Sequence, residues 1–118
     1  MPFDHEKLDV YADAIDFVAR ANDVAEALPA GRRYLADQLH RAAIGIVLSI
    51  AEGAAMSSPA ERAGFYARAR GSAMESAAVL DVCARLHLVP VVRCREHKDV
   101  LDRVTQLLAE LIRAGPES

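Results

Sequence analysis

Two thiols and two imidazoles bracket one short stretch of the chain, Cys83-x3-His87-x6-Cys94-x2-His97. Antiparallel counting across Pro90 sets Cys83 level with Cys94, and tetrahedral zinc accepts two sulfurs and two ring nitrogens. The spacing is not that of a standard zinc finger, and a chain of 118 residues can build a core without a metal staple. Cysteine also serves as a small buried hydrophobe, and His87 and His97 read equally well as exposed. The expectation is therefore no metal and no cofactor, with Cys83, His87, Cys94 and His97 kept as an alternative zinc set.

The carboxylates support no other chemistry. A di-iron bundle needs acids on all four helices and Glu-x-x-His on two of them. Here only Asp37-x-x-His40 has that step. Glu52 falls at the end of a helical segment, where the helix dipole disfavours an anion, so it needs a partner, such as an Arg or backbone amides from a neighbouring chain. Glu75 reads the same way, as a structural ion pair rather than a general base. No Ser-His-Asp or Cys-His arrangement is readable, and the scattered glycines form no phosphate loop. Arg32, Arg33 and Arg41 are the one candidate cluster for nucleic-acid contact. The chain reads as a non-enzyme.

Four periodic segments must position these residues. The first, about 4–28, places Leu8, Tyr11, Ile15, Phe17, Val18 and Val24 on an apolar arc of roughly 200° at ~100° per residue. Asp9, Asp13, Asp16, Arg20 and Asp23 take the other side. A monomeric bundle helix shows a narrower stripe, ~100–150°. Pro29 and Gly31 break the pattern. The second segment, about 33–53, runs from Arg33 to a proposed left-handed cap at Gly53. Its second half, Ala42 to Ala51, carries no charge and a single hydroxyl, so it is apolar all round and needs neighbours on several sides. Ser58, Pro59 and Glu61 form a helix start with a capping box, opening a third segment, about 59–87, with Phe65, Tyr66, Ala69, Ala73, Ala77, Leu80 and Ala84 along one side. The fourth, about 91–114, stops at Gly115-Pro116.

These helices, each about 24 residues or ~36 Å, with short links, specify an all-α, antiparallel up-down-up-down bundle in one domain spanning 1–118. Gly45 and Gly71 each cost about 1 kcal/mol inside a helix relative to Ala, so both are expected where helices approach closely. Antiparallel pairing puts Gly71-Ser72 opposite Ala42-Ala43, and Arg41 near Glu75 as an ion pair.

Composition excludes several classes. Hydrophobic residues at 53% and charged ones at 26% describe an ordinary globular protein. The opening MPFDHEKLD is acidic and has no apolar run, so no signal peptide is expected. The longest uncharged stretch is about half a membrane span. The expected compartment is the cytoplasm, where both cysteines stay reduced. Residues 1–28 hold seven acids against Lys7 and Arg20, and the remainder ten acids against twelve bases. The net charge of −3 argues against a strongly basic nucleic-acid binder.

The run Gln38-Leu39, Arg41-Ala42-Ala43, Ile46, Ser49-Ile50-Ala51-Glu52-Gly53 resembles the signature of the bacterial four-helix bundle proteins, also called 23S rRNA intervening-sequence proteins. Leu8-Asp9-Val10-Tyr11, Phe65-Tyr66, Gly71-Ser72 and Glu75 match the family pattern in order, so the resemblance covers the whole chain. It implies a bundle assembled as a ring of five, with no known enzymatic activity. It also implies structural roles for Gln38, Arg41, Ala42, Ala43, Ser49, Glu52, Gly53, Gly71, Ser72 and Glu75. A related branch, the accessory variability determinant of diversity-generating retroelements, works with a reverse transcriptase and RNA. This chain departs from the pattern at His40, where Arg is common, and at Ser49, where Asn is common. It is also acidic where that branch is basic, which weighs against RNA binding because phosphate neutralisation supplies much of such affinity. The expected function is a scaffold or interaction module built from copies of itself, with RNA or an RNA-handling protein as the alternative partner and no membrane contact.

Overall fold

The computed structural model describes residues 3–114. Four helices carry the fold: α1 (Asp9–Ala27), α2 (Arg33–Ala55), α3 (Pro59–Arg85) and α4 (Val91–Ala114). Single 3-10 turns at Asp4–Lys7 and Ala30–Arg32 precede α1 and α2. No strand occurs among the described residues. The expected stop at Gly115-Pro116 lies outside them.

Residues that pair between α1 and α4, and between α2 and α3, run in opposite numerical order, as antiparallel neighbours must. Asp13 meets Arg103 and Arg20 meets His97. Gly45 lies against Ser72 and Gly53 against Tyr66. Each helix touches the next in sequence, α1 also touches α4, and the diagonal pairs stay apart. The result is an up-down-up-down bundle of 46 × 24 × 20 Å. Its core is filled by Phe17, Leu39, Ile46, Ile50, Leu80 and Leu108, each essentially inaccessible to water. Burying side chains of this size stabilises by about 1.5–3 kcal/mol each.

Helix ends depart from the sequence expectation in three places. The segment Asp4–Lys7 is a separate turn, because Leu8 is extended (φ −87°, ψ 130°) and interrupts the helical path. His5 packs edge-on against Tyr11 with centroids 4.6 Å apart, folding the segment back onto α1. Gly53 is not a left-handed cap, since no described glycine has positive φ. It sits inside α2, which runs on to Ala55, and it is buried. Its missing side chain admits Tyr66, because an added Cβ would lie 2.8 Å from that ring's Cε1.

The third departure is at the end of α3. His87 adopts φ 60° and donates its N–H to Ala84 O at 3.0 Å, while Leu88 N–H reaches Cys83 O at 2.9 Å. This pair of bonds is the Schellman arrangement, with a histidine where glycine is usual. By contrast, the start of α3 follows its sequence signal. Ser58 Oγ accepts from Glu61 N–H at 3.3 Å and Pro59 opens the helix.

Candidate interaction surface

The seam between α2 and α3 is the most extensive in the bundle, and most of the motif residues lie along it or beside it. Ala42, Ala43 and Ser49 are buried. Gly45 makes the close approach: an added Cβ would stand 3.0 Å from Ser72 Oγ. Ser76, fully buried, donates its hydroxyl to Ser72 O at 3.0 Å, which satisfies it within the helix. Gln38 donates from Nε2 to Glu75 Oε2.

Two expectations fail here for the same geometric reason. The Arg41–Glu75 ion pair does not form, because Arg41 turns outward while half-buried Gln38, three residues earlier, lies on the edge facing α3 and takes Glu75. Gly71 does not line an internal crossing. It is exposed, and a Cβ built on it would meet nothing within 4 Å.

The outward face of these two helices carries the unusual surface. On α2, Tyr34, Arg41, Ile44 and Leu48 recur at helical steps, with Tyr34 55%, Ile44 44% and Leu48 55% exposed. Asp37, His40 and Gly45 join Arg41, Ile44 and Leu48 in a shallow groove along this stripe. On α3 the outward stripe is Ala60, Gly64, Ala67 and Gly71, continued by Met74, Ala78 and Val82, all exposed. One helix thus presents large side chains to water, and the first half of its neighbour presents a strip of small residues. Ile15, 45% exposed on α1, leaves part of that wide apolar arc uncovered as well.

Charges on this face are sparsely matched. Arg33 and Arg41 are exposed, and neither forms an ion pair among the described residues. Arg32 donates from Nη1 to Tyr34 Oη at 3.0 Å. Glu52 is exposed in the last turn of α2 and has no side-chain hydrogen bond or ion pair there. The partner its position calls for is not supplied by any described residue of its own chain.

The alternative zinc set does not assemble. Cys83, Cys94 and His97 are buried, whereas His87 is exposed at the link. Cys94 Sγ donates to Leu80 O at 3.4 Å. Burial pushes both thiols up, and each is raised further by a neighbouring thiol or acid, Cys94 beside Cys83 and Asp81 beside Cys94. Thiols held protonated are poor ligands and poor nucleophiles. Among the described residues, no group of three or more His, Cys, Asp or Glu converges on a point. A hollow at the α1–α2 corner is lined by Glu26, Arg33, Asp37 and His40, with apolar residues and no Ser, Thr, Cys or Lys, so it holds no base-activated nucleophile.

Sequence reasoning missed two things. His97, read as exposed, is buried and touches Arg20. Tyr66, read on the apolar side of its helix, does belong to the core, where burial raises its phenol above the ordinary value against the pull of Arg62. The small stripe of α3 was visible only as a run of alanines and glycines. Its four- and three-residue steps were the signal that could have placed it on one face.

A model of the 23S rRNA-intervening sequence protein family matches residues 6–110. The chain is also similar to a crystal structure of a protein of unknown function from the S23 ribosomal protein family of Bacteroides thetaiotaomicron. That likeness has a TM-score of 0.82 at 18% identity, covering 88% of this chain and 98% of the other. At that identity it speaks for the fold alone. No curated protein matches.

Proposed function

This chain belongs to the 23S rRNA-intervening sequence protein family, and from that premise we propose that it is a non-enzymatic interaction module whose working form is an assembly of its own copies. The observation that carries this reading is the α2 stripe of Tyr34, Ile44 and Leu48 left in water by a single chain. Withdrawing Ile44 and Leu48 from water is worth about 1.5–3 kcal/mol each at full burial. Less is gained from residues already half covered, yet several such side chains per subunit hold an assembly together. The strip of small residues on α3 supplies a surface that large side chains of another copy can approach closely. Glu52 and Arg41, both without an ion pair among the described residues, are available across such a contact. The family resemblance implies five copies, and a cytoplasmic location belongs to the same reading. No described helix is long and apolar enough to cross a membrane.

Light scattering coupled to chromatography tests the proposal. The native chain is expected to elute as a multiple of 12.8 kDa at micromolar concentration. Ile44→Glu with Leu48→Glu is expected to fall to single subunits with helical circular dichroism intact. A native chain that runs as one 12.8 kDa subunit at those concentrations overturns it.

A second reading, contact with RNA or an RNA-handling protein, draws on the family's description and on Arg32, Arg33 and Arg41 grouped on and just before α2. Against it stands the net charge of −3. Titration with structured RNA at low and moderate salt decides it, because phosphate contacts make affinity fall steeply with salt. No binding at low salt removes the reading.

A further inference from the structure

The α1–α4 seam is the least extensive of the four in the bundle, and two polar rungs cross it. One is an ion pair: Arg103 Nε binds Asp13 Oδ2 at 2.6 Å. The other joins Arg20 Nη1 to His97 Nδ1 at 3.4 Å. His97 is only 9% exposed, and its Nε2 is buried with no hydrogen-bond partner.

A guanidinium can only donate, so Nδ1 must present its lone pair and the ring proton must sit on Nε2. The contact therefore requires a neutral imidazole. We propose that the Arg20–His97 contact is a proton-operated latch on the α1–α4 seam, closed while the ring is neutral and released when the ring takes a proton. Protonation turns the Nδ1 acceptor into a donor and sets two cations against each other in a part-buried place. Arg20 already has somewhere to go, because its Nε binds Asp16 Oδ2 at 2.8 Å one turn back on α1. The Asp13–Arg103 rung contains no imidazole, so protonation of His97 does not act on it directly. Release therefore loosens one end of the seam, the second half of α1 against the first two turns of α4.

The charged groups acting on the ring agree with this direction. Burial, first, and then Arg20 from α1 and Arg93 from α4 hold His97 below the ordinary histidine value, while Glu96 on α4 and Asp23 on α1 oppose them more weakly. No ionisable group of α2 or α3 contributes. The sign follows. A histidine depressed in the folded state leaves stability untouched above about 6.5, its unfolded value. Below that, the unfolded chain binds the proton first and stability is lost down to the folded value.

The test is an imidazole titration of the full chain by NMR, with native-state amide exchange read at several pH values and corrected for intrinsic rates. His97 is expected to titrate below 6.5. Opening of residues 17–27 and 91–98 is expected to rise by up to about tenfold per pH unit beneath that point. His97→Gln should abolish the added opening. Arg20→Gln should shift the His97 titration upward, and it carries the test alone if the His97 variant fails to fold. An imidazole that titrates at or above 6.5, or acid opening unchanged in both variants, overturns the latch.

Discussion

At the scale of single residues, the position least suited to its occupant is His87. Its φ of 60° puts a branched ring into the left-handed region that glycine tolerates without a Cβ clash. The side chain is exposed and makes no hydrogen bond among the described residues, so nothing there compensates. His87→Gly is expected to raise stability by about 0.5–1 kcal/mol, read as a higher urea midpoint with an unchanged slope. Equal or lower stability would mean that the ring has an external contact. Individual residues were also where the sequence was hardest to read. Arg41 and Gln38 both lie within one turn of the level of Glu75, and counting levels cannot choose between them. The choice depends on rotation about the helix axis: Gln38 faces α3 and Arg41 faces water. His97 was ambiguous in the same way, because a histidine on a mostly polar helix does not announce which neighbour will cover it.

At the scale of elements, the positions of all four helices were legible, since apolar residues at three- and four-residue steps persist over several turns in each. The start of α3 was legible because Ser58-Pro59 is a local chemical signal. Helix ends without one were not: α2 overran Gly53 because packing against Tyr66, not backbone freedom, is what needs a glycine there. The inner face of α3 was legible, because Tyr66, Ala69, Ala73 and Leu80 recur at helical steps and are buried. Its outer side was not: alanine and glycine lie there too, and Gly71, expected at the internal crossing, is exposed. The outer glycine now yields a prediction. In an isolated helix Gly71→Ala adds about 1 kcal/mol of stability. In the proposed assembly the added methyl crowds a neighbouring copy, and overpacking costs about 1–3 kcal/mol. We therefore expect the substitution to weaken assembly about fivefold or more, measured by sedimentation across a dilution series. Unchanged or tighter assembly removes the α3 strip from the contact.

At the scale of the whole molecule, the wide arcs on α1 and α2 announced more apolar surface than one bundle can hide, and Ile15, Ile44 and Leu48 are what it leaves out. Neither the number of copies nor their arrangement was legible, because an apolar arc records that a surface is to be covered and carries no count. If folding and assembly are linked as proposed, the melting temperature rises with protein concentration. A midpoint constant over a hundredfold dilution, with assembly verified at both ends, would show that the subunits are stable without one another.

The unequal seams also set an order of events. Three of them join helices adjacent in the chain, through links of a few residues, whereas the fourth brings α1 to α4 across nearly the full length of the polypeptide. Long loops are entropically costlier to close and slower to be rewarded with contacts. The central hairpin, with its intimate glycine–serine crossing, is thus placed to nucleate the bundle, and α1 to arrive last. A helix that docks last undocks first, and while it is away another subunit's α1 can take its berth.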